Sequence, residues 1–204
     1  MSLDDCITQF ASLCSQAFTP RELHNVPLLG KWAAINHGSK HKTLPLYKAL
    51  RRSLGEEEYL FGGVHAGDDS CDVKVAVTST EELGRKAIIL ANYTRSEHRP
   101  EQSETDHEFI RPDKPQDELL LWEAGAATAA APTYFKPFLH HRSHRSFLDG
   151  ALYNNNPVKV VQKERKLLWP EVAEQHPDVF LSVGTGQDAK VKKMSGSTTT
   201  SADR

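Results

Sequence analysis

This sequence has few cysteines, no long apolar run and no excess of positive charge. Its three cysteines are Cys6, Cys14 and Cys71. An odd, sparse count argues against a disulfide framework. On a helix, Cys6 and Cys14 would stand about 12 Å apart along the axis, too far to bridge. All three are expected as reduced thiols, packed as small hydrophobes in an intracellular protein. No apolar run reaches the roughly 18 to 20 residues needed to span a bilayer, so no transmembrane segment is expected. The opening "MSLDDCITQF" is acidic and lacks the basic region of a signal peptide. A net charge of -2 gives no reason to expect a nucleic-acid surface, which would need clustered excess Lys and Arg.

A nucleophile elbow is also missing. No G-x-S-x-G occurs in the sequence, and the nearest frame is "GVHAG", Gly63 to Gly67, with His65 in place of the serine. No glycine-rich loop precedes a helix in the manner of an oxyanion hole, and no cysteine adjoins a plausible base.

The 204 residues, 38% hydrophobic and 25% charged, suit one globular domain with a real core. Ser2 and Asp5 have capping-box spacing. Leu3, Cys6, Ile7, Phe10, Leu13, Cys14, Ala17 and Phe18 then share one helical face until Thr19-Pro20. A polar connector leads to a second helix, Leu44 to Leu54, closed near Gly55. Val73 to Thr80 alternates like a strand. Lys86 to Thr94 is a continuous apolar strand suited to burial on both faces. Arg95 to Pro115 reads as a charged, mobile loop. Asp117 to Ala131 reads as a helix with an acidic first turn and an alanine-rich second half that something approaches closely. A short strand "SFLD", a helix from Pro157 to Leu168 and an apolar strand from Asp178 to Gly186 follow. Residues 1–187 form the expected domain; 188–204 are a polar, disordered tail. Strands alternating with helices predict an α/β sandwich, with helices on both faces of a mainly parallel sheet.

The stretch "FLDGALYNNNP", Phe147 to Pro157, carries the main site candidate. An apolar strand delivers Asp149 to its C-terminal end, where open α/β sheets place ligands. Gly150 permits φ > 0 or a close backbone approach. Ala151 keeps the space beside the acid small. Asn156 and Pro157 suit an N-cap and a first helical position. The alternative is a turn acid bonded to its own loop, as is common for Asp-Gly. Other candidates are weaker. Gly184, Gly186 and Ala189 match a loose dinucleotide turn, but the chain then enters a Ser/Thr tail. His140 and His144 have metal-ligand spacing only on a helix, and with His141 they lie in what reads as a surface loop. Gly38 to Thr43 reads first as a solvated basic loop, with contact to an anion or a headgroup as the alternative.

Three blocks in order, "LWEAGAATAAAPTYFKPF", "FLDGALYNNNPV" and "LSVGTG", resemble the C-terminal part of a fungal-type patatin-like phospholipase domain. "YTRS" at Tyr93 to Ser96 and the first helix also fit. The resemblance implies a three-layer α/β/α fold, here incomplete on its N-terminal side, and a lipid or phospholipid acyl ester hydrolase that needs no cofactor or metal. Such enzymes use a Ser-Asp dyad, with the serine in G-x-S-x-G and oxyanion donors from an upstream glycine-rich loop. The motif Asp149, Gly150, Ala151 carries over, with Asp149 as proton acceptor; the nucleophile has no counterpart in this chain. The family's arginine and serine in the alanine-rich helix are replaced by Ala126 and Ala129. The pattern puts Met1 just downstream of the nucleophile, so a fragment or truncated copy, inactive as written, is expected. It is also expected to be cytoplasmic, meeting its substrate peripherally at a membrane surface. The rival readings are a non-catalytic lipid- or partner-binding remnant and a nucleotide-binding α/β domain.

Overall fold

The computed structural model describes residues 2–20, 38–61, 73–81, 86–95, 106–111 and 114–184. It divides into two units, Met1–Ala173 and Glu174–Arg204.

Among the described residues, the first unit contains every regular element. They are α1 (Leu3–Ala17), α2 (Thr43–Leu54), β1 (Ala76–Glu81), β2 (Ala87–Ala91), β3 (His107–Ile110), α3 (Leu121–Thr128), β4 (Phe138–His140), β5 (Arg145–Asp149), α4 (Ala151–Asn154) and α5 (Val158–Leu168). Short 3-10 turns cover Pro115–Asp117 and Pro170–Val172. The five strands form one sheet in the order β3-β2-β1-β5-β4.

The continuous apolar run behaves as its composition predicts. Every residue of β2 is buried. Ile88 and Leu90 join a core built with α1, α2 and α3, while Ile89 and Ala91 join Tyr93 and Val160 of α5 in a second core. Because successive side chains of a strand point to opposite faces, these two cores lie on opposite sides of the sheet. The fold is therefore α/β with helical layers on both faces.

The sheet is mixed, not mainly parallel. Among the described strands only β2 and β3 pair in parallel; β1-β2, β1-β5 and β4-β5 are antiparallel. The connections explain the difference. Residues 82–86 join β1 to β2, and residues 141–144 join β4 to β5. Links this short make hairpins, because a parallel pair needs a crossover of a dozen or more residues. Two strands were hidden. β3 lies inside the stretch read as a mobile charged loop, and β4 lies in the histidine stretch read as a surface loop.

Several boundaries move. The third helix starts at Leu121, so Asp117 and Glu118 precede it, and the Leu120 N–H donates to Glu123 Oε2 at 2.8 Å. Its alanines do meet close neighbours: Ala124, Ala126 and Ala127 are buried, and a Cβ on Gly125 would press on Leu50 at 3.3 Å. The Ser2–Asp5 capping box forms, and α2 ends at Gly55 with φ +87°. The apolar stripe of α1 is mostly uncovered, with Leu3, Ile7 and Phe10 at 75%, 57% and 69% exposure and only Ala17 fully buried. Cys6 is likewise exposed and Cys14 half-buried, so neither is the core residue expected; both are free thiols. Cys71 lies outside the described residues.

Of the second unit, residues 174–184 are described. The expected strand from Asp178 is absent there: 178–184 hold no strand or helix, and Val179, Leu181 and Val183 are over 80% exposed. Alternating apolar residues form a strand only against a partner, and none pairs with them among the described residues.

Candidate active site around the Asp149 turn

Asp149 is the last residue of β5. Its position is set from the neighbouring strand. β1 carries the run Thr78-Ser79-Thr80, and its hydroxyls bond to the end of β5 as well as to α3. Ser79 Oγ donates to Leu148 O at 2.8 Å and to Ala127 O at 3.3 Å, and Thr80 Oγ1 donates to Asp149 O at 3.0 Å. Thr128 Oγ1 of α3 donates to Thr78 O at 2.6 Å. The Asp149 N–H donates to Ala130 O at 3.0 Å, just past α3. The backbone of the acid is therefore tied on both sides by buried groups.

Gly150 is required for space. Its φ is -65°, open to any residue, but a Cβ there would collide with the Thr78 carbonyl and hydroxyl. Of the two uses allowed to this glycine, close approach is the one that applies. Ala151 opens the single turn of α4, and its N–H donates to Asp149 Oδ1 at 2.7 Å. That is the self-bonded turn acid of the Asp-Gly alternative, but it occupies only one oxygen. Asp149 is half-buried, and among the described residues its Oδ2 has no hydrogen-bond partner. The carboxylate is thus oriented through one oxygen and available through the other. Asn156 does serve the next helix, accepting from the Val158 N–H at 3.3 Å, although α5 starts at Val158 rather than Pro157.

The sequence matches the patatin-like phospholipase family over residues 3–161. This chain belongs to that family. Among curated relatives it is 29% identical over 164 residues to the 85/88 kDa calcium-independent phospholipase A2 of Rattus norvegicus, covering 79% of this chain and 18% of the relative. It is 26% identical over 190 residues to calcium-independent phospholipase A2-gamma of Rattus norvegicus, covering 92% and 21%. It is 26% identical over 171 residues to phospholipase A I of Arabidopsis thaliana, covering 74% and 13%. The chain spans about a fifth or less of the length of these relatives.

The patatin-like chain also holds a polar cluster that sequence reading missed. Glu164 of α5 is 4% exposed. Its carboxylate accepts from Tyr93 Oη at 3.2 Å, from Arg95 Nε at 3.2 Å and from Arg95 Nη2 at 2.5 Å. His107 Nε2 of β3 lies 2.7 Å from its Oε1. Burial alone would raise the Glu164 carboxyl, but the His107 and Arg95 hydrogen bonds and charges outweigh it and hold the group below its usual range. Burial, with the adjacent Glu164 charge, pushes the Tyr93 phenol well above its ordinary value. The cluster ties α5, which follows the Asp149 turn, to β2 and β3. The one sequence signal was Tyr93 and Arg95 within "YTRS"; Ser96 lies outside the described residues.

The remaining candidates separate. His140 is buried on β4 with Nδ1 2.6 Å from Ser143 Oγ, while His141 and His144 are exposed in the turn, His144 at φ +54°. The three do not converge. Burial first, then the Arg142 charge, pushes His140 down to about 4. Its Nε2 stands 3.5 Å from Glu123 Oε2 without a hydrogen bond, while Arg142 Nη2 donates to that oxygen at 2.5 Å. Gly184 is exposed, and Gly186, Ala189 and His65 lie outside the described residues. No helix among the described residues is long and apolar enough to cross a membrane.

Proposed function

We propose that this chain carries the acid half of a lipid acyl ester hydrolase. Asp149 accepts the proton of a serine hydroxyl as that serine attacks the ester carbonyl. The observation carrying this reading is the half-exposed Asp149 carboxylate, oriented by the Ala151 N–H through Oδ1 with Oδ2 left open. Family membership supports the substrate class, a lipid or phospholipid acyl ester. An aspartate is a weak base in water; it becomes effective within hydrogen-bond reach of the nucleophile, with donors stabilising the oxyanion.

Serine and oxyanion donors of the G-x-S-x-G type are missing from these 204 residues. The chain by itself is therefore proposed to be inactive. Purified protein treated with a fluorophosphonate probe should show no specific serine labelling. Labelling that disappears in Asp149→Asn would overturn this. If coding sequence upstream of Met1 supplies in frame a glycine-rich loop and G-x-S-x-G, the longer product should label and hydrolyse phospholipid. Asp149→Asn should then abolish turnover; an unaffected rate would remove Asp149 from the chemistry.

The missing serine motif favours a second reading, a lipid-binding protein without catalysis. The sparse, odd cysteine count supports a reducing compartment. We place the protein in the cytoplasm, in peripheral contact with membranes.

A further inference from the structure

Two acid-free stretches of this net-acidic chain are joined side by side. No Asp or Glu occurs between Glu22 and Glu56, or between Glu123 and Asp149. The backbone connects them: Lys40 N–H donates to Thr133 O at 2.7 Å, His41 N–H to Tyr134 O at 2.9 Å, and Lys136 N–H to Thr43 Oγ1 at 3.4 Å. The end of α1 joins them, with Lys42 N–H donating to Thr19 O at 3.0 Å.

This junction displays aromatic and aliphatic groups at the surface beside its lysines. Phe18, Leu44 and Tyr134 are 48%, 61% and 45% exposed. The two rings are held in place. The His41 ring lies edge-on to Phe18 at 5.4 Å and stacks on Tyr134 at 5.9 Å. Lys40 Nζ sits 4.9 Å above the Tyr134 ring. Thr133 is at φ +69°, an unusual conformation for a β-branched residue, which the Lys40 contact and the flanking turn must hold. Lys136, exposed, adds a second cation two residues on.

We propose that this face docks on an anionic lipid bilayer. Lysines beside exposed aromatic and aliphatic side chains match a headgroup region, where charge is attracted and apolar bodies enter the acyl boundary. Polynucleotide is the poorer partner, because the apolar groups equal the cations in prominence and the whole chain is acidic. The face also adjoins the candidate site. Ala130 O anchors the Asp149 N–H, and the next carbonyl, Ala131 O, accepts from Tyr134 and Phe135. The inference deepens the lipid-hydrolase reading by naming where lipid meets the protein.

The test is co-sedimentation of the 204-residue chain with vesicles of phosphatidylcholine alone, or with about one part in four phosphatidylserine. Binding should need phosphatidylserine and fall as salt rises. The double variant Lys40→Glu, Lys136→Glu should bind at least about tenfold more weakly, since each lysine near such a surface contributes appreciably. Tyr134→Ser, which leaves the charges intact, should also weaken binding. Lys159→Glu, an exposed site on α5, should bind like the parent. Equal binding to both vesicle types, no loss in either face variant, equal loss with Lys159→Glu, or stronger retention by duplex DNA than by the anionic vesicles would each overturn the proposal. Sedimentation needs no hydrolysis. Its failure therefore leaves the role of Asp149 open, and loss of that role leaves the docking result intact.

Discussion

Glu164 is 4% exposed and bonds to Tyr93, Arg95 and His107, whereas the half-buried Asp149 carboxylate accepts, among the described residues, from the Ala151 N–H alone. Both carboxylates flank the link from β5 to α5. The first has its lone pairs committed to the fold, so it has nothing left to offer a substrate. The second has a fixed backbone and an uncommitted oxygen, which a proton acceptor requires. Burial and a perturbed pKa would point to Glu164 as the functional acid. Counting which oxygens remain free points to Asp149.

The contrast breaks most sharply at Glu164→Ala. Removing it leaves the Arg95 guanidinium without its counter-ion and Tyr93 and His107 without that hydrogen-bond partner, at a cost of about 3–5 kcal/mol. Urea unfolding should show this; a loss as small as that of an ordinary surface substitution would make the cluster incidental.

Acid sharpens the same comparison. His140 resists protonation in the fold down to about 4, while an unfolded histidine takes a proton near 6.5. Stability should be full above the unfolded value and decline as pH falls between these two, by on the order of 3 kcal/mol in all. Glu164 has a folded value below its ordinary 4.5, so its contribution is present above that pH and disappears as pH falls through the folded value. Urea midpoints across this range should drop in both windows for the parent. Glu164→Gln should keep the upper decline and lose the lower one.

Gly150→Ala comes next. The added methyl meets Thr78 backbone, which has little room to shift, so a loss of about 1–3 kcal/mol is expected. The smallest effect belongs to Asp149→Asn. It removes a charge but retains an acceptor for Ala151, and its urea midpoint should move by under about 1 kcal/mol. A loss comparable to that of Glu164→Ala would recast Asp149 as a structural acid.

The local features were legible in the sequence. The Ser2–Asp5 cap, the Gly55 stop and the order of strand, acid turn and helix from Phe147 onward each depend on neighbours a few residues away. Long-range features were not. β3 is a four-residue strand whose identity comes from its parallel partner β2. Glu164 reads as one charge on an amphipathic helix until Tyr93, Arg95 and His107 are brought to it across the fold. The opposite error occurs at 178–184, where the pattern is that of a strand but no pairing follows. α1 shows the same limit: periodicity locates its apolar stripe at Leu3, Ile7 and Phe10 without saying what covers it.

β2 is buried at every position and paired on both sides, by β3 and by β1. Such a strand opens only when the whole unit opens, so its amide hydrogens should be the last to exchange with solvent. β1, its antiparallel neighbour, is also the strand that pairs with β5 and bonds to Asp149. The acid turn is thus one ladder away from the slowest-exchanging segment, and its geometry should persist through fluctuations that fray the edges of the sheet.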